Sequence, residues 1–309
     1  MKIAIILILL LCVFARAETT NVCEDCEYKK IQDALDKSND GDTIIVHSGI
    51  YREYIDIKKN DINLTGKDEG SGIPIITNEI VGPYNPAHFS CAGLPQMLGV
   101  SVQMWGNNVT ISNFNITYLE NNNSKDKKLM CGVAVASDKC NIINNTITNY
   151  LEDGILLCGA SNSIICNNNI RNNFDKGIHL VDSSGNRIIH NILENNKYNI
   201  YITKGSKSNL ISCNSLSKPR LFNAYDSGNS GSNKWNTSIT GNYYSQFDCD
   251  SFDHGICLTK YLIPPNGSNI DWHPLSEAYD FSYVFSWLAS PLAFGDSLVH
   301  SVPMLPVSS

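Results

Sequence analysis

The sequence predicts an all-β solenoid, a parallel β-helix, and three observations carry that expectation. Apolar residues recur at a fixed period: Ile142, Ile165, Ile188 and Ile211 stand 23 residues apart, as do Ile147, Ile170, Leu193 and Leu216. Asparagines keep the same register at Asn145, Asn168, Asn191 and Asn214. Within a repeat, polarity alternates as in a strand. Gly154-Ile155-Leu156-Leu157 is answered by Gly177-Ile178-His179-Leu180 and, one residue early, by Asn199-Ile200-Tyr201-Ile202. A unit that cannot bury its own apolar face must stack on its neighbours. A leucine-rich repeat has a similar period but needs a helical or extended convex half. Here that half is spent on Asn, Ser, Gly and Ile, which are poor helix formers. Gly154, Gly177 and Asn199 are expected at a left-handed corner. The Asn column is expected to be a structural amide ladder. About eight coils between residues 41 and 240, each rising about 4.8 Å, predict a rod of roughly 40 Å.

The elements follow in chain order. Lys2, the apolar run Ile3 to Phe14 and Ala15-Arg16-Ala17 predict a cleaved signal peptide over residues 1–17, hence a secreted or cell-surface protein. The run is short for a membrane span. Leu9-Leu10-Leu11 lacks the small residue that precedes a lipidated cysteine, so Cys12 is not read as a lipid anchor. A helix over Tyr28 to Lys37, with Ile31, Ala34 and Leu35 on one face, is expected to cap the open end of the solenoid. Strands are expected at Thr43–Val46, Tyr54–Ile57, Ile62–Thr65 and within Val109–Ile116. Residues 82–98 read as a proline-rich loop and 120–129 as a polar excursion; the regular ladder occupies 131–216. The solenoid with its cap is thus placed at 18–234, a Tyr-, Asp- and Trp-rich module at 235–275 and a tail at 276–309, too short and too polar for a membrane anchor.

Composition narrows the function classes. The formal charge is −7, and removing Lys2 and Arg16 with the signal leaves 21 − 30 = −9. That argues against nucleic acid or an anionic membrane as partner. Ten of the eleven cysteines remain after the signal, an even number, so disulfides are expected in an exported chain. Cys249 and Cys257 are read as closing a local loop, and Cys23 and Cys26 as stapling the N-terminal segment. Pairing of Cys91, Cys131, Cys140, Cys158, Cys166 and Cys213 stays open. N-x-S/T sequons at Asn63, Asn108, Asn115, Asn122, Asn144, Asn236 and Asn266 are candidate glycan sites; an Asn- and Thr-rich solenoid also produces them by chance.

The opening I-Q-D-A-L-D…D-G-D-T-I-I-V-H-S-G-I-Y-R-E-Y-I-D-I, together with the I-x-x-N-x-I and G-I-x-L coils, resembles right-handed parallel β-helix proteins of the pectin-lyase-like superfamily. The coils are most similar to NosD-type repeats. The stretch from Gly241-Asn242-Tyr243-Tyr244 to Asp271-Trp272-His273-Pro274-Leu275 resembles the closing module that follows such repeats. The resemblance covers about residues 31–275, and it implies fold more than activity, because one β-helix hosts lyases, hydrolases, binders and scaffolds. The chain departs from the closing module's acidic loop at Asp248-Cys249-Asp250-Ser251-Phe252-Asp253. Asp248, Asp250 and Asp253 are candidate oxygen ligands for Ca²⁺, with a Cys249–Cys257 bridge as the rival brace. The NosD resemblance also implies copper handling, which needs Met, His or reduced Cys clusters; the histidines are scattered and Cys23-x-x-Cys26 is the single ligand-spaced pair.

Register offers one cluster with chemistry. Glu152 lies one coil above Asp175, a spacing suited to a retaining glycosidase pair, with Lys176, His179, Asp182, Arg187 and Lys204 on the same or neighbouring turns. Tyr150, Tyr198 and Tyr201 are read as outward rings for stacking on sugars, with Arg187 beside them. Solvated turns also carry such charges without catalysis. The sequence therefore points to a non-catalytic extracellular carbohydrate-interaction or scaffold protein, with a polysaccharide lyase or glycoside hydrolase, and then a copper accessory protein, as alternatives.

Overall fold

The computed structural model describes residues 17–77, 88, 89, 91, 97–118, 131–203, 205–228 and 232–278. The expected signal segment up to residue 16, most of the proline-rich loop, the polar excursion, Lys204 and the tail beyond 278 lie outside the described residues.

Three parallel sheets wrap one apolar core. Sheet A stacks Thr19–Val22, Thr43–His47, Asn63–Lys67, Thr110–Ser112, Asn141–Ile143, Ile164–Cys166, Arg187–Ile189 and Leu210–Ser212 in that order. Sheet B stacks Ile50–Arg52, Ile75–Thr77, Asn115–Thr117, Thr146–Thr148, Asn169–Arg171, Ile192–Glu194, Ser215–Ser217 and Tyr243–Tyr244. Sheet C stacks Ile55–Ile57, Val100–Met104, Cys131–Val135, Asp153–Cys158, Lys176–Val181, Tyr198–Ile202 and Phe222–Asp226. Each coil contributes one short strand per sheet, as the repeat required.

The 23-residue columns pair in register. Ile142, Ile165, Ile188 and Ile211 are direct partners in sheet A. Ile147, Ile170, Leu193 and Leu216 are partners in sheet B, and Ile155, Ile178, Ile200 and Ala224 in sheet C. All are fully buried. The helix is shorter than expected, Ile31–Lys37, but buries Ile31, Ala34 and Leu35 as its spacing predicted. Its first amides, on Ile31 and Gln32, donate to the Glu53 carboxylate at 2.9 Å, a cap supplied by the neighbouring coil.

The corner expectation for Gly154, Gly177 and Asn199 is corrected. None has a positive φ. These positions lie in sheet C where the next coil passes close. A Cβ on Gly177 would sit 2.6 Å from the Asn199 carbonyl oxygen, and one on Gly154 would sit 2.8 Å from that of Gly177. Gly177→Ala is therefore expected to cost about 1–3 kcal/mol of stability through overpacking, measured by chemical denaturation; unchanged stability would mean that the coils part freely. The left-handed residues form three other columns, one per corner: Asn144, Asn167, His190 and Cys213; Asn149, Asn172, Asn195 and Lys218; Lys139, Asn162, Gly185 and Ser208.

The Asn column is an internal amide ladder. Asn168 Nδ2 donates to Asn191 Oδ1, Asn191 to Asn214 and Asn214 to Asn242, at 3.0, 3.0 and 2.9 Å. It ends on a carboxylate: the Asn242 backbone amide donates to Asp271 Oδ2 at 2.8 Å, and the Tyr244 hydroxyl to the same oxygen at 3.0 Å. A second ladder runs from Asn186 through Asn209 and Asn233 to the carboxylate of Asp226. A third joins Asn173, Asn196, Asn199 and Asn223. Beyond the last full coil, buried Trp235 and Tyr244 and the stacked Tyr261 close the core.

Three disulfides form: Cys23–Cys26, Cys249–Cys257 and Cys91–Cys158. Of the six cysteines whose pairing the sequence left open, Cys91 and Cys158 pair, and Cys131, Cys140, Cys166 and Cys213 remain thiols. They stand on separate coils or opposite sides of the solenoid wall, held by the same register that aligns the core. No described helix is long and apolar enough to cross a membrane.

Candidate functional site

The outer face of sheet C changes character along the rod. In the N-terminal coils, Val100, Cys131, Ala134, Leu156 and Val181 form a small buried apolar cluster with Cys91, which is tied to Cys158 on the same face. In the C-terminal coils the same outward columns become charged and aromatic. One column runs Asp153, Lys176, Tyr198, Phe222, and the next Leu156, His179, Tyr201, Tyr225. Strand alternation sets this: Ile178, Leu180, Ile200 and Ile202 take the inner positions and leave His179 and Tyr201 outside.

The four rings form a continuous half-buried platform. Tyr201 and Tyr225 stack with centroids 5.1 Å apart and planes 8° apart. Tyr198 meets Tyr201 edge to face at 4.8 Å, and Phe222 lies 6.1 Å from Tyr198. These spacings fall within the favourable range for ring pairs. His179 meets Tyr201 at 5.4 Å, and the Lys176 ammonium sits 5.7 Å above the Tyr201 ring.

A charged network adjoins the platform. Asp153 is fully buried and His179 is 2% exposed. Asp153 Oδ2 accepts from His179 Nδ1 at 2.8 Å, which fixes the ring; Nε2 has no hydrogen-bond partner among the described residues. Lys176 bridges Asp153 at 3.3 Å and Asp175 at 2.6 Å, and Lys197 reaches Asp175 at 3.3 Å. Glu152 and Asp175 occupy successive coils, since the Asp175 and Lys176 amides both donate to the Glu152 carbonyl at 3.0 Å. The two carboxyls are driven apart in acidity. Partial burial, with repulsion from Asp153, raises Glu152 above the usual carboxylate range. Burial also opposes ionisation of Asp175, but Lys176 and Lys197 outweigh it and hold its carboxyl below that range. Burial disfavours the Lys176 cation, yet Asp153 and Asp175 keep it firmly protonated.

The structure thus brings Glu152, Asp175, Lys176, His179, Tyr198 and Tyr201 to one face. Tyr150 does not belong there: it is 1% exposed and bonds to the Ser101 hydroxyl at 2.7 Å. Its register position is the inward slot that Asn173 and Asn196 take in the following coils, which the spacing around a four-residue corner concealed. Arg187 stands on sheet A between Ile164 and Leu210, away from the cluster. Asp153, Lys197, Phe222 and Tyr225 were missed. Tyr225 lies 24 residues after Tyr201, and extending the columns one coil further would have found it.

Asp248, Asp250 and Asp253 lie in an exposed segment braced by Cys249–Cys257, and Asp253 pairs with His254 at 2.7 Å. Among the described residues, no group of three or more His, Cys, Asp or Glu is placed to hold a metal ion. The described donors do not fit copper either. Burial raises the Cys131, Cys140 and Cys213 thiols and pushes Cys166 up to about 12, whereas copper takes thiolate, and the residues do not converge.

A comparison with curated proteins finds no match. Similar solved structures include the tailspike protein gp49 from Acinetobacter baumannii bacteriophage Fri1, a capsular polysaccharide depolymerase. It is 10% identical with a TM-score of 0.47, over 72% of this chain and 44% of that one. Pectate lyase Pel9A is 13% identical with a TM-score of 0.46, over 72% and 60% of the two chains. Pectin methylesterase PemA from Erwinia chrysanthemi is 12% identical with a TM-score of 0.43, over 78% and 74%. The family model described as periplasmic copper-binding protein (NosD) matches residues 35–249. With that match spanning most of the solenoid and its three in-register sheets, the chain belongs to the NosD family.

Proposed function

We propose that this protein is an exported carbohydrate-interaction protein whose sheet C lies along a polysaccharide without turning it over. One observation carries the reading: Tyr198, Tyr201, Tyr225 and Phe222 form a ring platform across two adjacent coils on the solenoid's outside. Flat rings with hydroxyl edges suit the apolar faces and polar rims of sugars. Disulfides fit an oxidising compartment. Tyr201→Ala is expected to weaken retention on an intact polysaccharide about tenfold, the equivalent of about 1.4 kcal/mol, with circular dichroism unchanged. Equal retention of the variant would remove the platform from the reading.

A second reading rests on the split acidity of Glu152 and Asp175. A carboxyl raised by burial beside one held ionised by lysines is the division of labour of a glycoside hydrolase, Glu152 as acid and Asp175 as nucleophile or base. This reading expects new oligosaccharides from the wild type by mass spectrometry and at least about a hundredfold less from Glu152→Gln. Absence of products from the wild type across acidic and neutral polysaccharides would reject it and leave binding.

A further inference from the structure

The charges around the platform limit what it can hold. Each described cation beside the rings is already engaged. Lys176 is shared between Asp153 and Asp175. Lys197 pairs with Asp175 and lies 5.5 Å over the Tyr198 ring. Arg220 is 5.1 Å over the exposed ring of Phe174 and donates to the backbone carbonyls of Asn173 and Phe174. Against these three cations stand the carboxyls of Glu152, Asp153 and Asp175, with Asp182 at the next corner. A polymer carrying a carboxylate on each sugar would meet lysines whose charge is already matched by a buried or half-buried aspartate, and would approach Glu152 as it did so. Separating Lys176 from Asp153 leaves a fully buried carboxylate without its cation, the costly way to break such a pair. The polar groups left on the platform are the hydroxyls of Tyr198 and Tyr225, while the Tyr201 hydroxyl is shared with Ser227 and His179 Nε2, without a partner among the described residues, lies buried beneath. Hydroxyls both donate and accept, the complement of a sugar hydroxyl rather than of an anion.

We propose that the sheet C platform takes an uncharged glycan, built from neutral hexoses or N-acetylhexosamines, and rejects polyuronates. This rests on the carbohydrate reading of the same face. Within each of the two neighbouring aromatic columns the rings stand one coil apart, about 4.8 Å, so rings are presented along the rod axis as well as across it and a chain can cross several of them.

The test is affinity electrophoresis of the full-length exported chain in gels containing laminarin, xyloglucan or soluble chitin oligosaccharides as neutral probes, and polygalacturonate or alginate as anionic probes, at low and physiological salt. The expected result is retardation by a neutral probe, insensitive to salt and at least about tenfold weaker in Tyr201→Ala, with no retardation by the anionic probes. Asp175→Asn, which releases Lys197 from its pair and one of the two carboxylates on Lys176, is expected to gain salt-sensitive retardation by polygalacturonate. Retardation of the wild type by an anionic probe alone, lost in Tyr201→Ala, would overturn the inference and leave the carbohydrate reading standing. No retardation by any probe, or retardation that neither Tyr201→Ala nor Tyr225→Ala alters, would overturn both.

Discussion

Replacing Asn191 with alanine is expected to lower the unfolding free energy by about 3 kcal/mol, although no apolar side chain is removed. Asn191 is fully buried in mid-ladder. Its Oδ1 accepts from the backbone amide and the side chain of Asn168, at 3.0 Å each. Its Nδ2 donates to Asn214 Oδ1 and to the carbonyls of Ile165 and Ile189. Alanine leaves the Asn168 amide without its acceptor inside the core. Each such orphan costs about 1–3 kcal/mol, and the vacated volume adds to it. Asn169→Ala, partly exposed on sheet B, is the control and is expected within about 0.5 kcal/mol of the wild type. Urea denaturation of both variants checks this; equal midpoints would mean that the ladder contributes no more than a surface amide.

Acidification is expected to tighten the closing end of the rod. Burial drives the Asp271 carboxyl from its ordinary 3.8 up to about 6, against the amides of Asn242 and His273. For an acid raised on folding, protonation favours the folded state. Its contribution is complete below about pH 3.8 and is lost as pH rises through about 6. Converted to free energy, that displacement spans about 2–3 kcal/mol. Asp226, at the end of the second ladder, is raised by burial in the same direction. Depressed carboxyls such as Asp175 work oppositely, so the measurement must be local. Hydrogen exchange at Asn242, Tyr244 and His273 should slow between pH 7 and pH 5 beyond the intrinsic pH effect, and Asp271→Asn should abolish the extra slowing. The same slope in both proteins would mean that Asp271 stays ionised.

The coils were legible because their register is written three times, in Ile, in Asn and in the G-I-x-L strand. A single period that aligns core, ladder and strand leaves little freedom in how the chain stacks. The corners were less legible. Gly154 and Gly177 looked like turn residues because Gly permits positive φ, but close passage of the next coil demands Gly just as strongly. The left-handed positions fell instead to residues as unlike as Asn167, His190 and Cys213. The second and third ladders were hidden for a related reason: Asn186, Asn209 and Asn233 sit among serines and glycines that read as loop. At the candidate site, Glu152, Asp175 and Lys176 could be placed from the period alone. Tyr150 could not, since inward and outward slots alternate within a corner of four residues. Asp153 was overlooked because an acidic residue beside a glycine reads as a turn, whereas here it is the fully buried anchor of His179.

Two of the three amide ladders end on a carboxylate, and that gives those columns a direction and a stop. In these two ladders the bonds from one side chain to the next run one way, each asparagine donating to the asparagine of the following coil. An asparagine at the last position would still hold out a donor, as the end of a growing fibre does. Asp271 and Asp226 receive that final donor, from Asn242 Nδ2 and Asn233 Nδ2, and as carboxylates offer none onward. They act as chain terminators for these two columns, whereas the third ends on Asn223, whose buried Nδ2 has no partner among the described residues, so the finished end of the solenoid is sealed on two of its amide columns and left with a spare donor on the other.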